Sequence, residues 1–307
     1  MTVDVVIPVY RPDEKFAELF RRLQKQNYPV GKIIIIETES EVPLELPESS
    51  RCPVEILKVK AEEFDHGGAR NAGGAKSEAD IVIFMTQDAV PADTKVICKL
   101  VETLEKNPEV NVAYARQLPA KDCNIIERFT RSFNYPDVSR IKSREDIEEL
   151  GIKTFFCSDV CAAYRKEFWL KEGGFEEHLI FNEDMIFAGK SILRGGKVAY
   201  VAEARVIHSH NYSGVQQFKR NFDMAVSQAE YPELFGAVRS ESEGIRLVKQ
   251  TAGYLLKKGK PWEIIRLIYL SGCKYAGYLL GKKYKKLPRQ VIFMCTSNKK
   301  YWNNKFG

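Results

Sequence analysis

No Gly-x-Gly-x-x-Gly follows the first apolar run of this chain. That removes the phosphate-binding fingerprint of a nicotinamide-dependent dehydrogenase. Internal repeats and low-complexity tracts are absent as well. Cysteine is sparse and scattered, seven residues in 307. Cys157 and Cys161 lie four apart, but no second pair completes a zinc site. The seven read as small buried hydrophobes in a reducing compartment. The first strand begins almost at once, with no charged n-region and no apolar h-region, so no signal peptide is expected. A large charge excess is missing too: 47 Lys and Arg against 41 Asp and Glu leave a net +6. With 44% hydrophobic and 29% charged residues, the chain buries a core and is not disordered.

The excess that exists is local. Lys257, Lys258, Lys260, Arg266, Lys274, Lys282, Lys283, Lys285, Lys286 and Arg289 are opposed across that stretch only by Glu263. No nucleic-acid recognition motif accompanies them, so nucleic acid is not the expected partner. Pro261 to Gly281 is mostly apolar, and its three charges fall within about 80° of one another on a helix. That is too polar to span a bilayer. It suits a helix lying in a membrane surface, with the lysines that follow meeting anionic lipid.

Apolar runs at Val3–Val9, Lys32–Ile36, Val54–Val59, Ile81–Met85 and Val110–Ala115 read as buried strands. Helical spacing over Asp13–Gln26, Ala69–Lys76 and Thr94–Asn107 separates them. The alternation predicts an α/β fold, a doubly wound and mostly parallel sheet flanked by helices, with the ligand at the carboxyl ends of the strands. Residues 119–150 read as an irregular excursion with one helix near Glu145. Thr154–Tyr164 reads as extended, Lys166–Glu172 and Glu183–Arg194 as helices, Lys197–Val201 and Arg205–His208 as short strands. From Gly214 the pattern is helical. The expected division is a catalytic domain over 1–215 and a helical, basic extension over 216–307.

Four segments carry the chemistry. Asp88 leaves the end of a buried strand, where one carboxylate can hold Mg²⁺ or Mn²⁺ shared with phosphate oxygens. In His66-Gly67-Gly68-Ala69-Arg70-Asn71 the glycines admit a close backbone approach, and Arg70 at a helix start can reach a phosphate. Glu183-Asp184 opens a helix after Asn182; Asp184 reads as a general base and Glu183 as a group that orients or binds an acceptor. His208 and His210 end a strand on one face, and one of them, His208 first, can complete a metal shell with Asp88 or meet a diphosphate.

Assembled in this order, the residues resemble a family 2 glycosyltransferase of the GT-A fold over about residues 3 to 215. Val5-Val6-Ile7-Pro8-Val9-Tyr10 resembles the family's first strand, whose end lines the nucleotide pocket with Pro8 and Tyr10. Glu37 stands where the family has an acid near the base or ribose. Thr86-Gln87-Asp88-Ala89 stands at its Asp-x-Asp metal motif, which makes Gln87 and Asp88 donor ligands. Thr86 replaces the first acid, so metal binding leans on the bound nucleotide. Glu183-Asp184 stands at the catalytic acidic pair. Phe64-Asp65-His66-Gly67-Gly68-Ala69-Arg70-Asn71 and the Thr-Gln-Asp-Ala segment resemble the rhamnosyltransferase branch. The resemblance implies an inverting transfer of L-rhamnose from dTDP-L-rhamnose to a hydroxyl of a lipid-linked polysaccharide precursor, by a cytoplasmic protein peripheral on the inner face of the membrane. A UDP-hexose donor is the near alternative. A nucleotidyltransferase or pyrophosphorylase would want a Gly-rich, basic segment after the first strand, where this chain has Pro8-Val9-Tyr10.

Overall fold

The computed structural model describes residues 1–46, 51–236 and 241–307. In chain order the elements are β1 (Val3–Val9), α1 (Glu14–Leu23), β2 (Lys32–Thr38), β3 (Val54–Val59), α2 (His66–Lys76), β4 (Ile81–Met85), β5 (Val90–Pro91), α3 (Val96–Lys106) and β6 (Val110–Leu118). There follow α4 (Ile125–Asn134), β7 (Arg140–Lys142), α5 (Ile147–Leu150), β8 (Cys161–Arg165), α6 (Lys166–Lys171), α7 (Glu183–Leu193) and β9 (Lys197–Ile207). The helical remainder comprises α8 (Gly214–Glu230), α9 (Pro232–Phe235), α10 (Glu241–Lys257), α11 (Glu263–Lys282), α12 (Arg289–Cys295) and α13 (Lys299–Phe306).

One sheet runs β3-β2-β1-β4-β8-β6-β9-β5, with β7 also paired to β9. β1 to β4 are mutually parallel, as is β6 with β9. β8 is antiparallel to both β4 and β6, and β5 and β7 are antiparallel to β9. The sheet is therefore mixed. In the parallel half α1 stands between β1 and β2 and α2 between β3 and β4, while residues 39–53 join the neighbours β2 and β3 with no helix among the described residues. β8 enters from the excursion after β6, which carries α4, β7 and α5, and runs antiparallel to both of its neighbours. Its strand is short because residues 151–155 wind into a 3₁₀ turn. β9 is one strand, not two; the register slips between its pairings with Ala115 and Arg116, and a bulge of this kind bends a strand and re-aims its end.

Both faces of the sheet are covered. Val5, Ile7, Ile33 and Ile35 pack on α1 and α3 through Phe16, Phe20 and Leu100. Val6, Ile34, Ile36 and Phe84 pack on the other side with Trp169, Phe175 and α7. That is why these strands read as unbroken apolar runs. α2 lies unusually close to the sheet. A Cβ at Gly73 would collide with Val6, and one at Gly67 with the Glu176 carbonyl. The helices after α8 share a core with the sheet domain, where Trp302, Tyr284 and Ile292 pack with Phe222, Val226 and Ile180. From α13, Lys300 Nζ donates to the carbonyls of Ala61 (3.0 Å) and Phe64 (2.7 Å), in the loop that leads to α2.

Candidate active site

The end of β1, the turn after β4, the turn after β9 and the start of α7 meet at one edge of the sheet. Tyr10 is half exposed there, and its backbone is clasped by the Gln87 amide, which accepts from Tyr10 N at 2.7 Å and donates to Tyr10 O at 3.0 Å. Gln87 therefore ties β1 to the Asp88 turn with both ends of its amide, rather than offering that amide to a donor. Pro8 pairs in register with Ile36, and Val9 with Glu37. Glu37 faces the cationic end of Lys58 at 4.0 Å.

Asp88, His208 and His210 form a tight triangle. Asp88 Oδ2 lies 3.4 Å from His208 Nε2 and 3.3 Å from His210 Nε2, and the two Nε2 atoms are 3.0 Å apart. Ligands about 2.1 Å from one cation and roughly 90–110° apart have these spacings. The tautomer agrees. His208 Nδ1 lies 3.0 Å from Gln117 Oε1. That oxygen is fixed as the amide acceptor because Arg131 donates to it, while Gln117 Nε2 donates to Ser158 Oγ at 3.0 Å. His208 therefore carries a proton on Nδ1 and turns Nε2 toward Asp88 and His210. Burial lowers the pKa of His210 to about 4, with the charges of His208, Arg131 and Arg220 adding to it, so this ring is neutral and able to ligate. Burial would raise the Asp88 carboxyl, but His208, His210 and Thr86 outweigh it and hold Asp88 well below the usual carboxylate range. The set fits a divalent cation with three protein ligands and room for oxygen ligands beyond. It uses both histidines where the sequence favoured His208.

The acidic pair is built differently from its expectation. Asn182 sits in the left-handed region (φ 69°), which Asn tolerates better than most residues, and this kink starts α7 with Glu183 aimed at α2 and Asp184 at the Asp159 backbone. Arg70, expected at a phosphate, is buried. Its Nη1 donates to Glu183 Oε1 at 2.9 Å and its Nε lies 3.3 Å from Asp159 Oδ2. The guanidinium is thus committed to carboxylates. Glu183, expected to orient an acceptor, is buried as its partner. Gly68 does not offer a free N–H to phosphate either, because Asp65 caps it at 2.7 Å; the glycines of α2 serve close packing instead. His66 keeps an exposed ring packed edge-on to Phe64 (centroids 5.0 Å). Surrounding protein nonetheless pushes its pKa down.

Asp159, which sequence reasoning did not single out, completes the cluster. It accepts from Tyr164 OH at 2.6 Å, and its backbone N–H donates to Asp184 Oδ2 at 3.0 Å. One guanidinium cannot neutralise three carboxylates away from water. Glu183, in closest contact with Arg70, is held below its usual value against the cost of burial. Burial and the neighbouring Glu183 push Asp184 up to about 7. Asp184 is also the more exposed of the pair. The two halves of the site join through His208, Gln117 and Ser158, and then through Asp159 to Asp184.

Arg220 on α8 was also missed. Its guanidinium lies 4.8 Å from the Tyr212 ring and 5.1 Å from the Phe181 ring. Among the described residues no carboxylate is within ion-pairing distance of it, yet its charge depresses both His66 and His210. It is a cation held by aromatic rings between the two halves of the site. The cue in the sequence was a lone Arg in an amphipathic helix, which reads as a solvated face.

The Glycosyl transferase family 2 profile matches residues 4–170. The chain belongs to that family. This transferase is 39% identical to the O-antigen chain rhamnosyltransferase RfbN of Salmonella typhimurium, over 99% of its own length and 97% of the relative. It is 38% identical to the O-antigen chain rhamnosyltransferase WbaN of Salmonella anatum, over 98% and 95%. Among solved structures it is similar to the mannosyltransferase PcManGT from Pyrobaculum calidifontis in complex with GDP-Man and Mn²⁺, with a TM-score of 0.61 at 12% identity over 93% of this chain and 88% of that one. It is also similar to S. aureus TarS 1–349, with a TM-score of 0.52 at 11% identity over 93% and 91%. These similarities confirm the GT-A fold of the family-2 transferase.

Proposed function

We propose that the transferase moves L-rhamnose from dTDP-L-rhamnose to a hydroxyl of a lipid-linked O-antigen precursor, with inversion, at the cytoplasmic face of the membrane. The observation that carries this reading is the match, over nearly the whole chain, to two O-antigen rhamnosyltransferases, in a protein where burial and Glu183 push Asp184 up to about 7. Such a carboxylate is a base matched to neutral pH. Asp184 takes the proton of the acceptor hydroxyl as that oxygen bonds to the anomeric carbon. The bond from that carbon to the nucleoside diphosphate breaks, and its electrons leave on the diphosphate. Asp88, His208 and His210 would hold a divalent cation, which when bound supplies positive charge to the departing diphosphate. Arg220 is free to add a second positive charge at the same group. Arg70 and Asp159 hold Asp184 in place and set its proton affinity. Pro8, Tyr10 and Glu37 lie at the strand ends where the nucleoside binds.

The test is product release with purified protein and acceptor. Liberation of dTDP from dTDP-rhamnose should exceed that of UDP from UDP-glucose or UDP-galactose. Robust turnover of a UDP-hexose with none of dTDP-rhamnose would overturn the donor assignment.

A further inference from the structure

We infer that the outer face of α11 is an anionic-membrane docking surface, seated in the lipid headgroup layer with the helix axis in the membrane plane. The inference deepens the reading of a lipid-linked acceptor and rests on it for its purpose, but its evidence is separate. α11 runs 20 residues, about 30 Å at 1.5 Å per residue. Its inner face is bolted to α8 by glycines one helical turn apart. A side chain at Gly277 would strike the Phe218 carbonyl, and one at Gly281 the Phe222 carbonyl. Small residues at this spacing let two helix backbones close up. The packing therefore fixes which way the helix faces.

The three charges that spoil α11 as a span all lie on or beside that inner half. At about 100° per residue, Glu263, Arg266 and Lys274 all fall within about 60° of Gly277, the Arg266 side chain staying half exposed as it reaches toward Glu263 at 3.9 Å. Lys274 is largely enclosed, facing Glu127 and Arg131 of α4, and its pKa is lowered by burial. No helix of the described residues is long and apolar enough to cross a membrane.

What remains outside carries no charge. Trp262, Ile265, Ile268, Tyr269, Tyr275 and Leu279 are all exposed, Ile265 at 75% and Trp262 at 63%. They occupy an arc of about 140° whose other members are Gly272, Ala276 and, at the edge shared with Trp262, Leu280. Monomeric proteins seldom leave so continuous an apolar stripe in water. Charge complementarity names the occupant. Lys257, Lys258 and Lys260 stand at one end of the stripe, with Lys282, Lys283, Lys285 and Lys286 at the other, and all of these are exposed. An apolar face with Trp and Tyr, flanked by lysines at both ends, matches the headgroup layer of an anionic bilayer. A second copy of the chain would set lysines against lysines.

The experiment is co-sedimentation of the full-length protein with vesicles, without donor or acceptor. Phosphatidylglycerol–phosphatidylcholine vesicles should retain it, and pure phosphatidylcholine should retain far less. Ile265→Glu with Ile268→Glu should cut retention by about tenfold or more, since two exposed apolar anchors become charged, with the thermal midpoint unchanged. Trp169 and Trp302 are buried, so the emission shift on binding should come from Trp262 and vanish in Trp262→Phe. Unchanged retention of the double variant would overturn the proposal. So would concentration-dependent dimers that the double variant abolishes, because the face would then belong to a second copy. Turnover of a water-soluble acceptor fragment by the double variant separates failure here from failure of the transferase reading.

Discussion

Arg70 and Glu183, 113 residues apart in sequence, meet through a 2.9 Å charge-assisted hydrogen bond in the buried seam between α2 and α7. That contact commits Glu183 to Arg70 and leaves Asp184, the more exposed of the two, as the proposed base. Arg70→Met should therefore do more than reduce activity. It leaves Glu183 and Asp159 buried without a counter-charge, an expected loss of about 3–5 kcal/mol, read as a lowered denaturation midpoint. A variant of wild-type stability would show that the carboxylates find another partner.

As the proposed base, Asp184 works only when ionised. With its pKa raised to about 7, kcat/KM should fall on the acid side of neutrality, by on the order of tenfold per pH unit once below that value. Asp184→Asn should abolish transfer while leaving donor binding within a few-fold. Glu183→Gln should weaken the Arg70 contact and move the acid limb to lower pH, because it removes the negative charge that helps raise Asp184.

Asp88→Asn should keep the fold and lower turnover by on the order of 10²-fold. Mn²⁺ should raise the melting temperature of the wild-type protein in the presence of dTDP by mass action, and this shift should disappear in the variant. Full activity in EDTA together with an active Asp88→Asn would remove the metal from the reaction.

Gln117 is a positioning residue for His208. Gln117→Leu frees the His208 proton to move to Nε2, and metal affinity should fall by about 10–100-fold. Titration of Mn²⁺ monitored by its paramagnetic signal reads this without any turnover.

Arg220→Gln should weaken dTDP binding by about tenfold, the order of one charged hydrogen bond, with no loss of stability, because no carboxylate is left unpaired. Tight dTDP binding by this variant would place the cation elsewhere.

β1, β2 and β4 were legible because burial on both faces writes an uninterrupted apolar run, as in Ile33 to Ile36; β3, read as buried, is an edge strand with no buried residue and Ile56 exposed. The antiparallel entry of β8 was not, since strand sense depends on what connects the strands and the connection here is irregular. α4 was passed over because its ten residues carry few buried side chains. In the site, Asp88, the histidines and the acidic pair stood out as carboxylates and imidazoles at element ends. Arg70 was placed at the wrong partner because a cation's counter-charge lies far off in sequence, and Gln117 and Asp159 because a buried polar residue inside or beside a strand shows its purpose only through what it touches.

The contact from Lys300 to the loop before α2 has a meaning for biosynthesis. The strands β1 to β4 can collapse while the ribosome is still translating. The segment that delivers His66 and Arg70 gains its brace only when residue 300 emerges, more than two hundred residues later. A ribosome-bound nascent chain therefore lacks this brace on the loop before α2 until its last residues have left the tunnel.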